Sequence, residues 1–135
     1  MKRTIRVLLA MCLVVLLSAG TALAALPRIV GTNSGEQING TRNAEEIRGL
    51  GGPDEITDGL GRDLVYGGAG EDNLIGYGGD ISVDRFYGGR GSDTLHTRDV
   101  PAVKDVVRCG AGIDTVYADK ADVVFCDNCE RVRAW

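Results

Sequence analysis

The sequence predicts an all-β fold, a parallel β-roll (a β-solenoid) built from about ten short nonapeptide repeats. Three observations predict it. Large apolar residues recur every nine positions, at Ile38, Ile47, Ile56, Val65 and Leu74. An acid stands two residues before each of them, and glycines crowd the stretches between. Internal repetition at a fixed short period is the signature of a solenoid, because each repeat buries its apolar face only against its neighbours.

Residues 1–24 read as a cleaved secretory signal peptide rather than as part of the fold. Lys2, Arg3 and Arg6 give a basic start, Val7 to Leu17 is an apolar run, and Ala22-Leu23-Ala24 is an A-x-A cleavage signal. The run is eleven residues long, well short of the ~20 that span a bilayer. No membrane insertion is therefore expected after cleavage, and the folded domain is 25–135. That mature part has 12 basic and 19 acidic residues, a net charge of −7, and nineteen of the twenty glycines. An acidic surface disfavours nucleic acid as a partner and suits cations. Glycine loses more backbone freedom on folding than any other residue, so such a chain needs something beyond apolar burial to fold.

The repeats continue past Leu74. Phe86 follows twelve residues later, Leu95 nine, Val107 twelve, Val116 nine and Val124 eight. The accompanying acids are Glu36, Glu45, Asp54, Asp63, Asp72, Asp84, Asp93, Asp105, Asp114 and Asp122. The tripeptide around each apolar residue suits a short strand with one side chain inward and its neighbours outward. The six residues before it are expected to turn the chain, with glycine admitting the positive φ a turn needs.

The pattern is clearest in Gly67-Gly68-Ala69-Gly70-Glu71-Asp72-Asn73-Leu74-Ile75 and in Gly88-Gly89-Arg90-Gly91-Ser92-Asp93-Thr94-Leu95-His96. Both read G-G-x-G-x-D-x-U-x, with U a large apolar residue. The chain here resembles the RTX, or hemolysin-type calcium-binding, repeat family, from about Gly31 to Val124. The resemblance implies Ca²⁺ held between successive turns of the roll, with two nonapeptides to a turn. Asp supplies a hard carboxylate oxygen, and Ca²⁺ takes six to eight oxygens.

Two repeats per turn partition the acids by parity. One edge carries Glu36, Asp54, Asp72, Asp93 and Asp114; the other carries Glu45, Asp63, Asp84, Asp105 and Asp122. Both three-residue insertions, before Asp84 and before Asp105, fall on the second edge and are expected to stack as neighbouring bulges. The regular edge is expected to hold the strongest ions, between Asp54 and Asp72, Asp72 and Asp93, and Asp93 and Asp114. Its glycine turns are represented by Gly67, Gly68, Gly70, Gly88, Gly89 and Gly91. On the second edge Asp63 has a fair loop, and the Asp84 loop is lengthened, with Asp80 as a competing ligand. Thr97 to Lys104 lacks glycine and contains Pro101, so no regular site is expected at Asp105. The first two repeats carry Thr at the second position and Glu for Asp, which suits a cap that binds calcium weakly or not at all.

The resemblance also bears on the cysteines. Small secreted members of the family often end with a segment like Val107-Arg108-Cys109-Gly110 and Cys129-Glu130-Arg131-Val132, which favours a Cys109–Cys129 disulfide tying the tail to the roll. Cys126 and Cys129 form the competing C-x-x-C pair, a spacing used for redox exchange or zinc. His96 has no nucleophile placed beside it, and neither phosphate-binding glycine motif is present. The expected function is a secreted, non-enzymatic protein that folds on binding several Ca²⁺ ions. The alternative is an extracellular adhesion module in which Ca²⁺ only stiffens the roll, with Tyr66, Tyr77, Tyr87 and Tyr117 as outward candidates.

Overall fold

The computed structural model describes residues 25–134, so the signal segment lies outside the described residues. The strands are β1 (Arg28–Val30), β2 (Gln37–Asn39), β3 (Glu46–Gly51), β4 (Glu55–Thr57), β5 (Leu64–Ala69) and β6 (Asn73–Ile75). They continue with β7 (Arg85–Arg90), β8 (Thr94–His96), β9 (Val106–Ala111), β10 (Asp114–Ala118), β11 (Val123–Phe125) and β12 (Cys129–Ala134). Among the described residues there is no helix. Odd-numbered strands form one six-stranded sheet in order along the stack, and even-numbered strands form the other. Every pairing is parallel. The chain alternates between the sheets, two strands to a turn, as the repeat parity predicts.

The apolar positions form the core. Ile47 pairs with Val65, Val65 with Phe86 and Phe86 with Val107 along one sheet. Ile56, Leu74, Leu95 and Val116 stack in the other. All eight are fully buried, because their strand neighbours point away on both sides. Ile38 is buried, and Val124 packs half-buried at the far end.

Twelve strands replace the expected ten. β1 is centred on Ile29, nine residues before Ile38, and pairs in register with Ile47. It lacks a preceding glycine turn, so the motif does not mark it; a strand needs only its inward centre. β12 extends the second sheet beyond β10, with Val132 opposite Val116. Strand length also departs from expectation. β3, β5, β7 and β9 each run six residues, through the first glycine positions, with Gly68 paired to Gly89 and Gly89 to Gly110. Those glycines therefore continue a sheet edge before the chain turns.

The insertions stack as the parity implies. The amide of Val100 donates to the carbonyl of Gly78 at 3.2 Å, joining the long loops that precede Asp105 and Asp84. On the outer faces Tyr66 stacks on Tyr87, centroids 4.7 Å apart, with the Arg48 guanidinium 5.3 Å from the Tyr66 ring. His96 is half-buried and stacks on Tyr117 at 4.7 Å.

Candidate metal sites on the two edges of the roll

Each repeat aspartate reaches back one turn. On the regular edge the amides of Glu36, Asp54, Asp72 and Asp93 donate to Oδ1 of Asp54, Asp72, Asp93 and Asp114, at 2.9, 3.0, 3.0 and 2.9 Å. On the other edge the amides of Glu45, Asp63, Asp84 and Asp105 donate to Oδ1 of Asp63, Asp84, Asp105 and Asp122, at 2.7, 2.7, 2.8 and 3.0 Å. The two ladders contain the same residues as the two parity sets. Asp105 takes part in its ladder although its loop lacks glycine.

The second oxygen is the informative one. Oδ2 of Asp54, Asp63, Asp72 and Asp93 is buried with no hydrogen-bond partner. A buried charged oxygen without a partner is costly. Four such orphans at equivalent repeat positions mark places where positive charge belongs.

Glycine shapes the space beside them. A Cβ on Gly67 would stand 2.5 Å from Asp72 Oδ2 and 2.6 Å from the carbonyl oxygen of Gly88, one turn on. Gly88 likewise faces Asp93 Oδ2 at 2.5 Å. Carboxylate and carbonyl oxygens thus crowd one cradle, an all-oxygen donor set that suits a hard cation. Gly68 and Gly70, with φ of 119° and 148°, and Gly89 and Gly91, with 116° and 129°, form the turn around it. At the corresponding position in the Asp114 repeat stands Cys109.

The first repeats spend their acids differently. Glu36 accepts from the Thr32 amide and hydroxyl, both at 2.8 Å. Glu45 accepts from the Thr41 amide at 2.8 Å and from the Thr41 hydroxyl. The longer side chain folds back on its own repeat, so both oxygens are satisfied without a cation.

Electrostatics agrees with the geometry. Burial is the largest influence on each of these carboxyls and raises its pKa; backbone donors oppose it, and neighbouring acids add to it. Asp54 and Asp72 are raised. Asp93 and Asp84 reach about 6, and Asp63 about 7. The ionised forms lack compensating charge.

Residues 48–80 and 78–99 match the family described as RTX calcium-binding nonapeptide repeat (4 copies). Residues 48–99 carry RTX repeats. The matched span holds Asp54, Asp63, Asp72, Asp84 and Asp93, so it includes members of both ladders. No curated protein and no solved structure matches the chain.

Two features beside the RTX repeats differ from expectation. Cys109 is joined to Cys126 instead of Cys129, with Cα atoms 5.3 Å apart. Register explains this: Val107 pairs with Val124, so Cys109 and Cys126 lie two residues further along the same sheet. Cys129 opens β12 in the other sheet, opposite Asp114. Its Sγ still lies 3.5 Å from that of Cys109. The second feature is a group of aspartates outside the repeat positions. Asp58, Asp80, Asp99 and Asp119 are all buried along the second edge. Sequence reasoning named only Asp80, as a competitor of Asp84. Asp58 stands where most repeats have their first glycine, and that substitution was the available signal.

Proposed function

We propose that the chain is a secreted calcium-binding protein whose β-roll folds on binding several Ca²⁺ ions, and that it performs no catalysis. The observation that carries this reading is the repeated orphan Oδ2 at Asp54, Asp63, Asp72 and Asp93, within a span matching a calcium-binding repeat. Oδ1 of each of these residues holds the preceding turn, so the same side chains order the backbone and present the free oxygen. Bound Ca²⁺ would supply the missing positive charge and accept the carboxylate and glycine carbonyl oxygens. Asp114 and Asp84 complete the set as the next acids of their ladders. The cap at Glu36 and Glu45 ends the stack without an ion.

Coupling to folding follows from repulsion. Parallel strands lie ~4.8 Å apart, and carboxylates at about that spacing repel by ~1–3.5 kcal/mol per pair at effective dielectrics between 80 and 20. A ligand that binds only the folded state stabilises it in proportion to the logarithm of its concentration. Export fits this order of events, because the basic start and apolar run at residues 7–17 resemble a secretory signal. A chain unfolded at low cytosolic calcium would fold after release.

The test is circular dichroism of the purified protein during a Ca²⁺ titration, with EDTA reversal and Mg²⁺ as control. A cooperative, reversible gain of β-signal specific to Ca²⁺ is expected. A β-signal complete in EDTA, with no ion bound, would move the adhesion reading to the front. The Arg48–Tyr66–Tyr87 stripe would then be the surface to test.

A further inference from the structure

The two edges are not equivalent. On the regular edge Asp54, Asp72 and Asp93 each give one repeat carboxylate per turn beside a glycine, Gly49, Gly67 or Gly88. On the second edge Asp58 replaces that glycine and brings a carboxylate of its own. Its Oδ1 accepts from the Tyr77 amide at 2.8 Å, one turn on. Its Oδ2 is buried without a partner, as is that of Asp63. Carboxylate oxygens of Asp58, Asp63 and Asp84 all lie within 4.8 Å of one another, and the three residues are only 1%, 2% and 3% exposed.

The surroundings add negative charge. Asp80, carried by the first insertion, donates no proton to this group; its Oδ2 accepts from the Gly61 amide at 2.7 Å, and its Oδ1 from the amides of Ile81 and Ser82 at 2.6 and 2.9 Å. Asp80 is itself buried, and its negative charge helps to raise the pKa of Asp63 and Asp84. The cation that influences Asp84 is Arg62, which is exposed. Three carboxylates converging within reach of a single ion, with two of their oxygens unpartnered, make a donor set richer in charge than a glycine turn.

We propose that Asp58 joins Asp63 and Asp84 in a three-carboxylate cation site that fills before the sites of the regular edge and favours hard cations of high charge. The proposal rests on the calcium reading only for the identity of the natural ion. Ligand charge count tunes calcium affinity over orders of magnitude, so this site takes Ca²⁺ more tightly than the Asp72 and Asp93 cradles and takes Tb³⁺ more tightly still. The insertion edge then nucleates folding, and the regular edge fills afterwards. This reverses the order that the regularity of the repeats suggests.

Isothermal titration calorimetry of the full chain with CaCl₂, repeated with TbCl₃, tests it. The wild-type protein is expected to show a tight and a weaker class of sites. Asp58→Asn should weaken the tight class by at least about tenfold, while Asp93→Asn should spare it and reduce the weaker class. Asp84→Asn keeps the acceptor for the Asp63 amide and should repeat the Asp58→Asn result, which guards against a folding defect peculiar to one variant. Wild-type stoichiometry and affinity in both Asp58→Asn and Asp84→Asn would overturn the site while leaving calcium binding intact. A wild-type chain that binds Tb³⁺ but no calcium would overturn the calcium reading and leave the site, whereas one that binds neither ion would overturn both.

Discussion

The amide of Asp72 donates to Oδ1 of Asp93, 3.0 Å away and 21 residues along the chain, while Asp93 Oδ2 is buried without a partner. One carboxylate thus has two separable duties, the backbone ladder through Oδ1 and a cation through Oδ2. Asp93→Asn keeps the first acceptor and replaces the second with a donor; Asp93→Ala removes both. Both variants should need more calcium to reach the folded signal. In saturating calcium, urea unfolding should find Asp93→Ala less stable than Asp93→Asn by about 0.5–1.5 kcal/mol, the net value of a hydrogen bond between neutral groups. Equal stability of the two would mean that the ladder bond contributes nothing.

Acid should replace calcium in part. The pKa of Asp93 and Asp84 rises to about 6, of Asp63 to about 7 and of Asp58 to about 8, in each case first because of burial. These groups bind more protons folded than unfolded, so unfolding free energy falls as pH rises. Their stabilising contribution is complete below the ordinary carboxylate range near ~4 and is lost as pH climbs through about 6 to 8. In EDTA the β-signal should therefore be greater at pH 5 than at pH 8, and the difference should vanish in excess calcium. A metal-free signal that grows with pH would contradict the burial of these acids.

Much of this arrangement was legible in the sequence, because a nine-residue period fixes which side chains stack. The spacing from Ile38 to Val124 and the acid before each apolar residue, taken with the two repeats per turn that the family resemblance implies, place both ladders and put both insertions on one edge. What the period could not show was contact between residues outside it. Asp58 looks like a lost glycine until its carboxylate is seen beside Asp63 and Asp84. β1 escaped because Arg28-Ile29-Val30 follows no glycine turn, although Ile29 keeps the spacing. The cysteine pairing depends on which sheet each thiol joins, and the tail after Val124 no longer follows the repeat.

Leu50 occupies the position of Gly68 and Gly89 in its repeat, yet has a φ of 81°. A side chain in the left-handed region costs roughly 1–2 kcal/mol, and this one is 43% exposed, so it gains little from packing. Leu50→Gly relieves the strain and loses some of the gain to chain entropy, about 0.5–1 kcal/mol. A net stabilisation of up to about 1 kcal/mol is expected by urea unfolding in calcium. Gly67→Ala should act in the opposite direction, since its Cβ would meet Asp72 Oδ2 and the Gly88 carbonyl. Calcium binding should weaken with it. A Gly67→Ala protein with unchanged calcium response would show that the cradle is not where the ion sits.

The disulfide should act as a clamp on the end of the first sheet. β11 is short, its central Val124 is only half-buried, and Cys126 just beyond it is tied to fully buried Cys109 across a sequence separation of 17. Closing a loop of that size stabilises by roughly 3 kcal/mol through the unfolded state. Reduction should consequently loosen β11 and β12 before the RTX repeats at residues 48–99, which hydrogen exchange would register as early loss of protection at Val123–Phe125. Cys129 Sγ lies 3.5 Å from Cys109 Sγ, so the clamp has a second partner within reach. Peptide mapping of the oxidised protein should find Cys109–Cys126. In Cys126→Ser it should find Cys109–Cys129, with much of the stability retained, whereas Cys109→Ser should lose the clamp altogether. Recovery of a Cys126–Cys129 bond from the wild-type protein would mean that the tail is held by strand pairing alone, with no covalent tie to the core.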